Sequence, residues 1–298
     1  MLFAGALLGC PGCSGMDSAT ADRNFDLSRT HYRMGANLLS KQKPLEARRE
    51  LRKALQLDPT NREAHHLLGI LFFVEGMHKL NLVDRTQCLK GSEADEQRTV
   101  ANIEFRSAEG YLKTSVKMAK EIEGKIESEG LVYLANIALH FKRYKEAVDL
   151  SKLALSNDLY GGKHLAQAVK GWALYKQRKY KAAGREFRQM IYGRPSFCLG
   201  HYRLAKVYHD QKMHGRAITE LEKVSKLKEC PIQEVPHLLG MAYTHAGRDK
   251  EQVRQQFARC AEMNKESCLA MECERLLKNV APESAPEVAP EPAVETKD

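Results

Sequence analysis

No stretch of this 298-residue chain approaches the run of about 18–20 apolar residues that a membrane-spanning helix needs, which excludes a polytopic membrane protein. Cysteine is sparse, eight in all, too few for a small disulfide scaffold. The phosphate-cradling G-x-x-x-x-G-K-S/T loop, the G-x-S-x-G nucleophile elbow and the zinc-binding H-E-x-x-H helix are all missing. The eleven histidines are scattered; His65 and His66 are adjacent, so they point to different sides of a helix and do not readily share a metal. Cys260, Cys268 and Cys273 have spacings unlike those of zinc pairs. These absences lead us to expect a protein that is not an enzyme and that holds no cofactor and no metal.

The chain does have enough apolar residues, 43%, to bury a core, so wholesale disorder is excluded. Its formal charge of +9 understates the basicity of the body. The last 18 residues, APESAPEVAPEPAVETKD, carry a net charge of −4, which leaves +13 on the remainder. A body of that charge attracts nucleic acid, anionic lipid or an acidic protein, and basicity alone does not choose among them. The tail 281–298 alternates Pro, Ala and Glu, buries almost nothing and is expected to stay extended.

The N-terminus reads MLFAGALLG and leads into Cys10. A short apolar run ending in a small residue is the cleavage end of a secretory signal. With Cys10 next, Leu7-Leu8-Gly9-Cys10 resembles a bacterial lipobox, which implies that residues 1–9 are a signal peptide and that Cys10 becomes the lipidated first mature residue. The apolar run is short and lacks a basic leader, so translation is expected to start upstream of Met1. Residues 10–27 then read as a lipidated end and polar tether. Cys10-Pro-Gly-Cys13 also matches C-x-x-C, but a redox motif needs a βαβ setting that is not in evidence.

The body repeats. Gly35, Ala47, Leu51, Ala54 and Pro59 stand at the spacings of the 34-residue tetratricopeptide (TPR) repeat. Small residues let two antiparallel helices approach, bulky ones fill between them, and Pro59 stops the second helix. The same ruler gives repeats at 28–61, 62–127, 128–161, 164–197, 198–231 and 233–264, with a capping helix at 265–280. In the second, the ruler breaks at a charged insertion, 81–104, and the second helix is expected to resume near 105–123. The expected fold is all-α: a right-handed superhelical TPR solenoid of about six repeats over 28–264. Each unit cannot bury its apolar face alone, so stacking supplies the core.

In such a stack the first helix of each repeat lines the concave face. Repeat positions 2, 5, 9 and 12 give Tyr32, Ala36 and Leu39; His66, Ile70 and Phe73; Val132, Asn136 and Leu139; Leu165, Trp172 and Tyr175; and Leu199, Tyr202, Lys206 and His209. The chain's one Trp falls on this stripe. An apolar stripe with aromatic anchors suits an amphipathic helix or extended peptide. Carboxylate clamps of the chaperone type place Lys and Asn where Tyr32 and Ala36 stand, which argues against that mode. The expected partner is another protein, with no nucleic acid and no small-molecule substrate.

Export makes disulfides available. Cys198 opens the first helix of repeat five and Cys230 ends its second, so antiparallel pairing sets them side by side as a candidate bridge. Cys260 with Cys268 or Cys273 is a second candidate; the alternative is that Cys260 is a buried free thiol at a core position.

Leu7-Leu8-Gly9-Cys10, the tether, and RMGANLLSKQKPLEARRELRKALQLDPTNREAHHLLGILF from Arg33 to Phe72 together resemble the type IV pilus pilotins, the PilF/PilW/Tgl group of TPR lipoproteins. The resemblance implies a lipid-anchored protein on the periplasmic face of the outer membrane. It would bind secretin subunits and promote pore assembly for pilus biogenesis and twitching or social gliding. The residues it carries over are the early groove: Tyr32, Leu39, Ile70 and Phe73. The 81–104 insertion, the extra cysteines and the acidic tail depart from shorter members. An envelope TPR lipoprotein regulating a cell-wall enzyme and a cytosolic TPR scaffold stay open as alternatives.

Overall fold

The computed structural model describes residues 18–227 and 230–280. The lipobox with Cys10 and the tail 281–298 lie outside the described residues. Thirteen α-helices and one π-helical turn follow one another, with no strand among the described residues. Repeat one is α1 (Ser18–Ser40) with α2 (Pro44–Leu57). Repeat two is α3 (Arg62–Asn81), a π turn (Leu82–Thr86) and α4 (Gly91–Glu123). Repeats three to six pair α5 (Ser128–His140) with α6 (Tyr144–Leu155), α7 (Lys163–Lys176) with α8 (Tyr180–Gly193), α9 (Cys198–Asp210) with α10 (His214–Ser225), and α11 (Glu234–His245) with α12 (Lys250–Met263). The closing helix is α13 (Cys268–Asn279).

The small-against-large pairing that defines the repeat is visible in the packing. A Cβ placed on Gly171 would lie 2.6 Å from the Phe187 ring, and one on Gly240 would lie 2.7 Å from Phe257. Both rings are sealed from solvent. Only a residue without a side chain lets α7 and α11 sit this close to α8 and α12. The turn inside four of the repeats passes through the left-handed region at Gln42, Lys142, Arg178 and Lys212, and at Gly247 in the sixth. Repeat junctions are pinned by polar side chains. Asn61 accepts from the Ala64 amide at 3.0 Å and donates to Ser28 at 2.8 Å, which in turn donates to the Ala54 carbonyl. Asn157 and Ser128 repeat that contact at 3.1 Å.

Two expectations are corrected. The segment read as tether is helical from Ser18, so α1 starts ten residues ahead of the first repeat boundary. The insertion is not a delay before the second helix: α4 begins at Gly91 and runs 33 residues, against 12–14 for α5 to α13. Uniform spacing would place the partner of Gly69 at residue 85; the residue that meets it is Leu112. The added residues lengthen both helices of repeat two into a hairpin that projects beyond its neighbours. Buried Ala94, Ala101, Phe105, Ala108, Leu112, Ser115 and Ala119 form its seam, one step of seven and then alternating steps of four and three, the interval at which one helix face stays against a partner.

Candidate protein-binding groove

The first helices α5, α7 and α9 stand side by side, and their N-terminal halves enclose a pocket of about 390 Å³. Its walls are Val132, Tyr133 and Asn136 from α5, Leu165, Ala168 and Val169 from α7, and Leu199 and Arg203 from α9, with Tyr160 and Glu129 at the rim. Leu165 is 44% exposed, an apolar side chain left open to a ligand. Next along α7, Trp172 and Tyr175 stack at 4.6 Å and 12°. The Arg203 guanidinium lies over the Trp172 ring at 5.1 Å, and Lys176 stands 5.2 Å from the same ring.

Of the stripe expected from repeat positions, Val132, Asn136, Leu165 and Leu199 converge on this pocket, with Trp172 and Tyr175 beside it. Other members turn elsewhere. Phe73 packs against Phe105 and Tyr133 at 5.6 and 5.1 Å, inside the core of repeats two and three. Leu139 packs in the core between repeats three and four. Tyr32 lines a separate, more polar pocket between α1 and the end of α4, with Arg29, Arg62 and Glu123. Leu39 and Ile70 are half-buried on α1 and α3, outside the middle pocket. Two members on α9 also leave the stripe. Tyr202 packs with the apolar core of repeats five and six, and His209 enters a cluster with His214 and His245, rings 4.9–5.4 Å apart. The pocket residues of α9 are therefore Leu199 and Arg203, with Lys206 paired to Asp210 beyond them. Arg203 was not singled out by the repeat positions; it stands one residue past position 5, as do Tyr133 and Val169 in the same pocket, and a step of four from Leu199 reaches it. No group of His, Cys, Asp or Glu among the described residues has the arrangement of a metal site.

The groove's electrostatics follow from burial. Burial pushes Tyr160 and Tyr202 up to about 12, so both hydroxyls stay neutral donors. Tyr175 is raised further, first by burial and then by donating its hydroxyl to Asp210. Asp210 is lowered despite burial, because Tyr175, Lys206 at 3.2 Å and His209 all favour its charged form. Burial lowers the Arg203 guanidinium to about 10.

The tip of the long hairpin reaches past repeats three to five. Arg85 in the π turn donates to Glu234 of α11 at 2.6 Å, and Asn264 donates to the Arg85 carbonyl at 2.5 Å. Cys88, just beyond the turn, is disulfide-bonded to Cys268 at the start of α13, with Cα atoms 4.7 Å apart and 180 residues between them in sequence. Arg85 also lies within electrostatic reach of Tyr202 and Arg203, so this strap passes beside the groove face of α9. The other bridges are Cys198–Cys230, joining the two ends of repeat five, and Cys260–Cys273, between α12 and α13. Cys260 is thus a bonded residue, not a free thiol, and Cys268, an alternative partner for it, is taken by Cys88.

The comparisons with known proteins agree with this architecture. A family model described as tetratricopeptide repeat matches residues 200–229. No curated protein matches the chain in sequence. Among solved structures, PilW, a widely conserved type IV pilus biogenesis factor, is similar with a TM-score of 0.61 and 15% identity, over 82% of this chain and 97% of that one. PilF of Pseudomonas aeruginosa gives 0.58 and 14%, over 85% and 99%. Cut9 with Hcn1, from the APC/C, gives 0.62 and 15%, over 89% of this chain and 46% of that one. At these identities the likeness is one of fold. What it establishes is that this chain is an all-helical solenoid of tetratricopeptide type.

Proposed function

We propose that this chain is an envelope lipoprotein that binds secretin subunits in its concave groove and promotes their assembly in the outer membrane for type IV pilus biogenesis and for twitching or social gliding. Lipid on Cys10 would hold the solenoid at the periplasmic face of that membrane, since a multiply acylated cysteine exceeds the two-chain requirement for stable anchoring. The observation that carries the reading is a helical-repeat body co-extensive with PilW and PilF that keeps an aromatic-lined groove open. Three disulfides suit an oxidising compartment and favour export over the cytosolic alternative. No described helix is long and apolar enough to cross a membrane.

The test is genetic. Deleting the gene should leave secretin monomeric and abolish pilus-dependent movement, and Cys10→Ala should abolish palmitate labelling. Heat-resistant secretin multimers in the deletion strain would refute the role. Copurification with a peptidoglycan enzyme, with normal motility, would replace it by the cell-wall alternative.

A further inference from the structure

Arg203 is a cation sunk in an apolar groove with no carboxylate beside it. Among the described residues its partners are the Ala168 carbonyl at 2.7 Å and the face of Trp172 at 5.1 Å. A guanidinium has five N–H donors, and one carbonyl leaves most of them unused. The side chain is half-buried and its remaining N–H groups are open to solvent, so they are available to a carboxylate brought by a partner. Neither nearby carboxylate serves. Glu234 is engaged by Arg85 at 2.6 Å, and Glu129, across the pocket, lies 3.6 Å from His66. Tyr133 and Tyr160 line the same pocket with hydroxyls that burial keeps in the donating form. Val132, Leu165 and Leu199 complete an apolar wall. The pocket is therefore cationic at the Arg203 end, carries Glu129 and the Tyr133 and Tyr160 hydroxyls at the other, and is apolar between.

We propose that Arg203 anchors an Asp or Glu side chain of an extended partner segment, whose adjacent apolar side chain fills the pocket. The inference rests on the groove reading above and names the chemistry of its occupant. The groove continues past Arg203 on both sides, to Trp172 and Tyr175 one way and to Leu165 and Glu129 the other. That continuity suits an internal acidic residue over a chain end.

The test uses the whole chain, wild type and Arg203→Met, to select phage-displayed linear random peptides, followed by binding of synthetic versions. Wild-type selections should enrich an acidic residue next to a large apolar one. Changing that acid to its amide should weaken binding on the order of tenfold or more, the scale of a charge-assisted contact. Arg203→Met should cost as much with the acidic peptide and nothing further with the amide. The variant should also melt close to the wild-type temperature, since it keeps the aliphatic stem and gives up one half-buried hydrogen bond. Acid-independent peptides that still bind Arg203→Met but not Trp172→Ala would overturn the proposal while leaving the groove reading standing. A requirement for the peptide's terminal carboxylate would overturn the internal-residue assignment. Marked destabilisation of Arg203→Met would make Arg203 a strut between α7 and α9, which also overturns it. Failure to enrich any peptide would remove the groove reading and this inference with it.

Discussion

Gly171→Ala should destabilise this protein, while Gly110→Ala should stabilise it. Both glycines lie inside helices, α7 and α4, so both gain about 1 kcal/mol of helix propensity on acquiring a methyl group. The surroundings decide the sign. At Gly110 nothing lies within 4 Å of the new Cβ. At Gly171 the Cβ falls 2.6 Å from one Phe187 carbon and 3.0 Å from two more, against the 3.5–4.0 Å or so of an ordinary carbon contact. The ring is fully buried and cannot swing into solvent, so α7 and α8 must part or the ring must leave its rotamer. Overpacking of this kind costs roughly 1–3 kcal/mol. With three ring atoms involved, the upper half of that range applies, and the net loss after the propensity gain is about 1–2 kcal/mol. Phe187→Ala opens the site at a cost of about 3–5 kcal/mol alone; Leu would not, since Leu51 and Leu112 press as closely on Gly35 and Gly69. Phe187→Ala combined with Gly171→Ala should recover most of the Gly171→Ala loss, for a favourable coupling of about 2 kcal/mol. Urea unfolding followed by far-ultraviolet circular dichroism, on all four proteins and on Gly110→Ala, measures each term. If Gly171→Ala stabilises as much as Gly110→Ala, or the double variant is simply additive, the close-approach account of the repeat is wrong.

Three further outcomes are expected. His201 donates to Glu220 at 2.6 Å and to the Pro195 carbonyl at 2.9 Å, and the Glu220 bond raises the imidazole while the same contact lowers the carboxyl. The Glu220 contribution is present above its ordinary value of 4.5 and lost as pH falls through its lowered value; that of His201 is present below 6.5 and lost as pH rises through its raised value. Glu220→Gln should therefore cost about 1–2 kcal/mol near pH 5.5 and clearly less near pH 9, read from melting curves at both; equal loss would mean the imidazole is not charged in the fold. Cys88→Ser should lower stability by up to about 5 kcal/mol on loop-closure grounds, and non-reducing peptide mapping should recover Cys88 linked to Cys268; a mapped free Cys88 thiol would remove the strap. Trp172→Ala with Tyr175→Ala should reduce partner pull-down with far-ultraviolet dichroism unchanged; undiminished capture would move the binding surface elsewhere.

The hairpin repeat was legible because its signal is local: small and bulky residues at fixed intervals within 34 positions, with Pro59 as a stop. The length of α4 was legible in principle, since the seam from Ala94 to Ala119 keeps a helical interval, but the charged residues between its members read as an insertion when measured against a 34-residue ruler. Groove membership was harder. Positions 2, 5, 9 and 12 leave out position 6, where Tyr133, Val169 and Arg203 all line the pocket, and include position 12, where Phe73, Leu139 and His209 go into packing. The early-groove residues suffered similarly: the long hairpin of repeat two supplies Phe105, which Phe73 packs against. The Cys88–Cys268 bridge spans 180 residues and depends on where the hairpin tip lands, a matter of accumulated superhelical rotation that no short motif encodes. Cys198–Cys230, within one repeat, needed only antiparallel pairing.

A helical-repeat solenoid is ordinarily an open spring, in which each unit touches its neighbours alone and the ends move freely. Here a covalent clasp joins the second unit to the last helix, so the spring becomes a bracelet. Stretching, twisting and end-fraying, the soft motions by which such proteins usually wrap a guest, are left, among the described residues, to the first hairpin ahead of the buckle. A guest must then enter a ring whose girth is already set, or arrive before oxidation fastens it.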